Sequence, residues 1–126
     1  MRVVVVDDSI VVRERLIKMF SEIPSLDIVG EAGNSFEAIN IIEEKNPDVV
    51  VLDIKMPGDS GVEVLRKVKK KNSSIIAILL TNYPIEQYKE KCFEYGADYF
   101  FDKSQEYLKV TEVLRTLAES RTYYSN

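Results

Sequence analysis

Three segments of this chain are apolar at odd and even positions alike: RVVVV at residues 2–6, VVVLD at 49–53 and IIAILL at 75–80. A strand with one wet face alternates apolar and polar side chains. A run that is apolar on both parities is buried on both faces, as in a parallel sheet covered by helices. Between these runs apolar residues recur at helical spacing. Val12, Leu16, Met19, Phe20 and Ile23 form one stripe, closed by Pro24. Asn34 with Glu37 three residues on reads as a capping box, opening a helix through Ile39 and Ile42 to about Lys45. Gly61 precedes a helix carrying Val62, Leu65 and Val68. A helix from about Pro84 to Tyr95 has its proline in the first turn, where a missing N–H costs nothing. Val110, Val113, Leu114 and Leu117 mark a last helix, from about Gln105 to Ser120. A weaker strand is expected at 27–32 (DIVGEA) and a fifth strand at 98–102 (DYFFD). Strands alternating with helices in this way make βαβ units, an α/β fold with a doubly wound five-stranded parallel sheet and five helices. At 126 residues one domain is expected, over 1–120, with 121–126 as a free tail or the start of a linker.

Composition narrows the function classes. The net charge of −4 argues against direct nucleic-acid binding and against an anionic membrane surface as partner. The basic run from Arg66 to Lys71 falls at a helix end, where it complements the dipole. A single cysteine excludes an internal disulfide and fits a reduced, cytoplasmic setting, with Cys92 read as a small core residue. No apolar stretch approaches a membrane span, and the N-terminus lacks the apolar region of a signal peptide. There is no histidine, which removes His-based metal sites and triads with a His base.

Ligands of open parallel sheets bind beyond the carboxyl ends of the strands. Strand 1 ends in Asp7-Asp8, strand 3 in Asp53, strand 4 in Thr81 and strand 5 in Lys103. Asp7-Asp8 taken alone reads first as a solvated turn, with Asp8 or Ser9 capping the next helix. Thr81 and Lys103 taken alone read as a turn residue and a solvated charge. Three carboxylates, a hydroxyl and an ammonium aimed at one rim read differently. Mg²⁺ takes a few carboxylates while keeping waters and phosphate oxygens. A carboxylate is a nucleophile toward phosphorus, and phosphoryl transfer needs mainly positioning and charge neutralisation.

In this order and spacing the residues resemble, over essentially the whole chain, the receiver domain of two-component response regulators. The matching residues are Asp7-Asp8, the segment DIKMPGDSG from Asp53 to Gly61, Thr81 after an apolar strand and Lys103 after an aromatic one. The resemblance implies the flavodoxin-like strand order 2-1-3-4-5 and a switch rather than an enzyme with a separate substrate. Asp53 is then the phosphoacceptor for a sensor histidine kinase. Asp8, Asp53 and the backbone carbonyl of Lys55 bind Mg²⁺, for which Mn²⁺ can substitute, and Asp7 acts through a water. Thr81 and Lys103 bond the phosphoryl oxygens, and Phe100 is the aromatic that changes rotamer as Thr81 moves. The surface of the fourth helix, fifth strand and fifth helix carries the output to an effector domain, a downstream protein or a second copy. Two residues depart from the common pattern: Ser104 follows Lys103 where proline is usual, and Lys55 stands where small polar residues are frequent. The resemblance also implies that Lys55 and Tyr83 flank the line along which water attacks the phosphoryl group, so a long-lived phosphorylated state is expected.

Rival readings are weaker. An aspartate-nucleophile phosphohydrolase of the haloacid dehalogenase type needs a second acid two residues after the nucleophile, where Lys55 stands. A flavin or nucleotide domain on this fold wants glycines or hydroxyls in the first loop, where DDSIVV would repel phosphate. A receiver-like scaffold indifferent to phosphate typically loses an acid or the lysine, and both are kept here. The N-terminal part of a DNA-binding transcription regulator is compatible with the receiver reading.

Overall fold

The computed structural model describes residues 1–82 and 86–124, with side chains described to residue 120. Elements alternate along the chain: β1 (Arg2–Val6), α1 (Ile10–Ser21), β2 (Asp27–Ala32), α2 (Ser35–Lys45), β3 (Val49–Leu52), α3 (Gly61–Lys71), β4 (Ile76–Thr81), α4 (Glu86–Glu94), β5 (Tyr99–Asp102) and α5 (Tyr107–Tyr124). The strands form a single five-stranded sheet in the order β2-β1-β3-β4-β5, every pairing parallel. This is the expected flavodoxin-like arrangement.

Both faces of the sheet are covered, which is why the runs are apolar on both parities. Val3, Val5, Val49, Val51, Ile78 and Leu80 pack under Leu16 and Phe20 of α1 and Val110, Leu114 and Ala118 of α5. Val4, Val6, Val50, Leu52 and Leu79 pack on the other side under α2, α3 and α4. Each apolar run therefore contributes to two cores at once, and fully burying one such side chain stabilises by roughly 1.5–3 kcal/mol. Cys92 is fully buried in the second core, and burial pushes its thiol up to about 11. It is a core residue, as expected.

The helix starts follow their caps. Ser9, rather than Asp8, caps α1 by accepting from the Val12 N–H at 3.2 Å. Asn34 accepts from the Glu37 N–H at 2.9 Å, and its amide donates to the Glu37 carboxylate at 2.8 Å. The basic residues Lys69, Lys70 and Lys71 fill the last turn of α3, and Lys69 also pairs with Asp98 at 2.9 Å. The last helix continues to Tyr124, past the expected stop at Ser120, because no glycine or proline interrupts residues 119–124. Pro84, expected in the first turn of α4, and Tyr83 lie outside the described residues.

The loop after β3 is the most constrained connection. A Cβ on Gly61 would stand 1.9 Å from the backbone oxygen of Asp53, and the Gly61 N–H donates to Ile54 O at 2.6 Å. Gly58 adopts φ +88°, a left-handed conformation that side chains rarely accept. The loop is tied to α2 by the Ser35 N–H donating to Pro57 O at 3.2 Å and by Ser35 Oγ accepting from the Asp59 N–H at 2.8 Å. Gly61→Ala should therefore lower stability by about 1–3 kcal/mol, since only a backbone shift can relieve the overlap. Urea denaturation measures it, and a loss below about 0.5 kcal/mol, the level of an ordinary surface change, would refute the close approach.

Candidate functional site

Two backbone hydrogen bonds place the central acids. The Asp7 N–H donates to Ala32 O and the Asp53 N–H to Val6 O, each at 3.0 Å, so both residues continue the parallel ladders beyond the last strand positions. The register of β1 on β3, with Val6 beside Leu52, then sets Asp7 next to Asp53. Asp7 and Asp53 are buried, at 1% and 5% exposure, and Asp8 points into solvent. A carboxylate oxygen of each of the three lies within 4.8 Å of those of the other two.

Lys103 answers this concentration of charge. Its Nζ lies 2.5 Å from Asp7 Oδ2 and 3.2 Å from Asp53 Oδ2, with its side chain almost wholly buried. Its own N–H donates to Thr81 O at 2.7 Å, which ties the ends of β4 and β5 together. Burial taken alone would lower the ammonium pKa, but the bond to Asp7 and the charges of Asp53 and Asp7 outweigh it and hold Lys103 above its ordinary value. For Asp53, burial is the largest influence and raises the carboxyl; the Lys103 charge opposes it, Asp7 adds to it, and the outcome is a pKa above the usual carboxylate range. Asp7 also accepts from the Ser9 N–H at 2.9 Å, and its backbone oxygen accepts from Arg13 at 2.6 Å.

Thr81 ends β4 fully buried. Phe100 is half-buried on the α2–α4 side, while Tyr99 and Phe101 stack on the other face with ring centroids 6.0 Å apart. Lys55 is exposed on the rim of a cleft of about 390 Å³ that also takes in Asp8. All the expected site residues except Tyr83 are thus described: Asp7, Asp8, Asp53 and Lys103 come together at the carboxyl edge of the sheet, Lys55 shares a cleft with Asp8, Thr81 ends β4 at that edge, and Phe100 packs against the core.

The missing proline after Lys103 has a local substitute. No peptide bond among the described residues is cis. Instead the Asp102 carboxylate accepts from both the Ser104 N–H at 2.9 Å and the Ser104 hydroxyl at 2.7 Å, which holds Asp102 below the usual carboxylate range. Glu106 accepts from the Asp102 N–H at 3.0 Å. Sequence reasoning marked Ser104 only as the residue standing in place of proline and passed over Asp102 and Glu106, although an acid two residues before a serine is a turn signal. It also passed over Ser35 and Arg13, which support the site from α2 and α1.

Three acids and a lysine gathered at the carboxyl edge of a parallel sheet define a receiver-type signalling domain. The chain belongs to the response regulator receiver domain family, whose model matches residues 3–115. It is 30% identical over 124 residues to response regulator GacA of Pseudomonas viridiflava, covering 98% of this chain and 58% of that protein. It is 36% identical over 127 residues to a protein-glutamate methylesterase/protein-glutamine glutaminase of Treponema denticola, covering 98% of this chain and 34% of that one. The chain thus spans about a third to three-fifths of the length of these relatives. Among solved structures it superposes on a two-component response regulator of the LuxR family from Aurantimonas with TM-score 0.86, 27% identity and coverage of 94% and 85% of the two chains. It superposes on the response regulator domain of Thermotoga maritima CheB with TM-score 0.81, 28% identity and coverage of 95% and 94%. Receiver domains of two-component systems interact with histidine kinases, bind Mg²⁺ at an acidic pocket and are often joined to effector domains. No helix among the described residues is long and apolar enough to cross a membrane.

The charge balance makes a prediction about stability without metal. The folded Asp53 carboxyl holds its proton more tightly than the unfolded one, so its contribution is complete below the ordinary carboxylate pKa and is lost as pH rises through the raised folded value. Asp53→Asn, which never ionises, should therefore match or exceed the parent's melting temperature at pH 7 in EDTA, with the difference closing as pH falls toward 4. Asp7→Asn should lose about 1–3 kcal/mol, because it weakens the closest partner of a buried ammonium. Denaturation of both variants across this pH range checks the signs, and a larger loss in Asp53→Asn than in Asp7→Asn would reverse the assignment.

Proposed function

We propose that this domain is a phosphorylatable switch in which Asp53 receives a phosphoryl group from the phosphohistidine of a sensor histidine kinase. The observation that carries the reading is Asp53 itself: buried at the strand edge, with two further acids within 4.8 Å and Lys103 already bridging it to Asp7. A carboxylate oxygen of Asp53 attacks phosphorus, the donor's N–P bond breaks, and the electron pair stays on the imidazole nitrogen. Lys103 contributes an ammonium to the phosphoryl oxygens and Thr81 a hydroxyl. The acid trio suits a hard divalent cation, with Asp8, Asp53 and the backbone carbonyl of Lys55 as ligands and Asp7 acting through a water. When bound, Mg²⁺ supplies neutralisation of the phosphoryl charge.

The domain catalyses only its own phosphorylation and dephosphorylation. Its unit is the segment 1–120, with 121–126 as a C-terminal tail or the start of a linker. Phosphorylation draws Thr81 inward and shifts Phe100, changing the face of α4, β5 and α5 for an effector domain, a downstream protein or a second copy. A DNA-binding effector is the reading that relatives such as the DNA-binding transcriptional activator DevR/DosR of Mycobacterium tuberculosis and the DNA-binding response regulator of the LuxR family from Staphylococcus aureus support. The setting is the cytoplasm, where the kinase's catalytic chemistry takes place.

Intact mass should show one phosphoryl adduct after incubation with acetyl phosphate and Mg²⁺ or Mn²⁺, absent in EDTA and absent from Asp53→Asn. An adduct that survives Asp53→Asn would overturn the assignment. Asp8→Asn should weaken Mg²⁺ binding. Beryllofluoride with Mg²⁺ should move amide resonances of residues 86–118, and unchanged spectra there would refute the switch.

A further inference from the structure

Two clefts stand out on the surface. The larger, about 640 Å³ between α2 and α3, is bordered by cations that are mostly matched already: Lys71 by Glu43, Arg66 by Glu63 and Lys67 by Asp59. The smaller, about 390 Å³, opens beside the acid trio. Asp8, Ile54, Lys55, Met56 and Ser60 line it from the loops after β1 and β3, and Tyr88 lines it from α4. Asp8 lines this cleft and its carboxylate lies within 4.8 Å of that of Asp53, so the Asp8 end of the cleft borders the acid trio.

Tyr88 belongs to none of the motif positions, yet among the described residues it is what α4 contributes to that cleft. Its ring is half-buried and, like Met56 and Phe100, packs on the core that contains Leu79 and Cys92, so it is held rather than swinging in solvent. A phenol ring is wide, rigid and largely apolar, a poor place for an ordered water.

We infer that Tyr88 is a positioning residue that limits the access of water and of bulky phosphodonors to Asp53. The inference rests on the reading of Asp53 as phosphoacceptor. In hydrolysis a water oxygen attacks phosphorus, the bond from phosphorus to the Asp53 oxygen breaks, and the pair returns to the carboxylate. Inorganic phosphate leaves and a water proton passes to solvent. The step needs the water in line with the breaking bond, a geometry that Tyr88 obstructs together with the stem of exposed Lys55.

The test uses the protein labelled at Asp53 with acetyl phosphate and Mg²⁺. Tyr88→Ala and Tyr88→Leu should lose phosphate about 5-fold or more faster than the parent, and Tyr88→Phe, which keeps the ring, within about 2-fold of it. A purely structural role would not change donor choice. Labelling by benzoyl phosphate should therefore gain more than labelling by acetyl phosphate in Tyr88→Ala, with parent-like labelling in Tyr88→Phe. Tyr88→Leu keeps the test open if the alanine variant folds poorly. A labelled parent with equal or slower loss in both small-ring-free variants overturns the role of Tyr88 alone. No label on the parent overturns the phosphoacceptor reading and this inference with it.

Discussion

The N–H groups of Asp7 and Asp53 each donate to the carbonyl at the end of a neighbouring strand, and the site follows from that. These bonds are the last rungs of the β1·β2 and β1·β3 ladders, so the carboxylates are fixed where the sheet stops and cannot move apart. Two buried like charges side by side are costly in a medium of low polarizability. Lys103 offsets this only in part, because burial still leaves the Asp53 carboxyl above its ordinary range. On the proposed reading, stability is given up here for a site charged to receive a cation, in the way functional sites commonly oppose the fold that carries them.

The fold was legible in the sequence because its strongest signal is redundant. Each of the three doubly apolar runs independently demands cover on two faces, and the observed cores use Val3 and Val5 on one side and Val4 and Val6 on the other. The strand ends followed within a residue: β3 stops at Leu52 and β4 shifts to Ile76–Thr81. The end of α5 did not follow, since the polar residues after Leu117 read as a tail while nothing in them breaks a helix. Site residues at strand ends were legible for the same reason as the strands. Those that reach the site from elsewhere were not: Arg13, Ser35 and Tyr88 arrive on helices, and helical periodicity says which face is apolar but not which loop that face meets.

Asp102, Ser104 and Glu106 show how a family departure can be absorbed locally. Proline after the lysine would restrict the backbone by its ring. Here the same segment is restricted by the Asp102 side chain folding onto Ser104 and by Glu106 reaching back to the Asp102 N–H. Lys103 still reaches both acids, so what matters at this position is a fixed loop rather than the proline itself.

The two cores also determine where a change at Asp53 can be felt. Thr81 and Lys103 are joined by one backbone hydrogen bond, so a force on either acts on the β4/β5 edge as a unit. On one side that edge meets α5, which is anchored by Val110, Leu114 and Ala118, all buried against α1 and the sheet. On the other it meets α4, nine residues long, with Cys92 as its one fully buried side chain. Elements with few buried apolar contacts are those that move at least cost in free energy. Phe100 and Tyr88 both pack into the core on the α4 side, and Tyr88 also borders the cleft beside the acids. On the proposed reading of Asp53 as phosphoacceptor, a population shift set off there has its cheapest expression in α4, with the better-anchored α5 moving less.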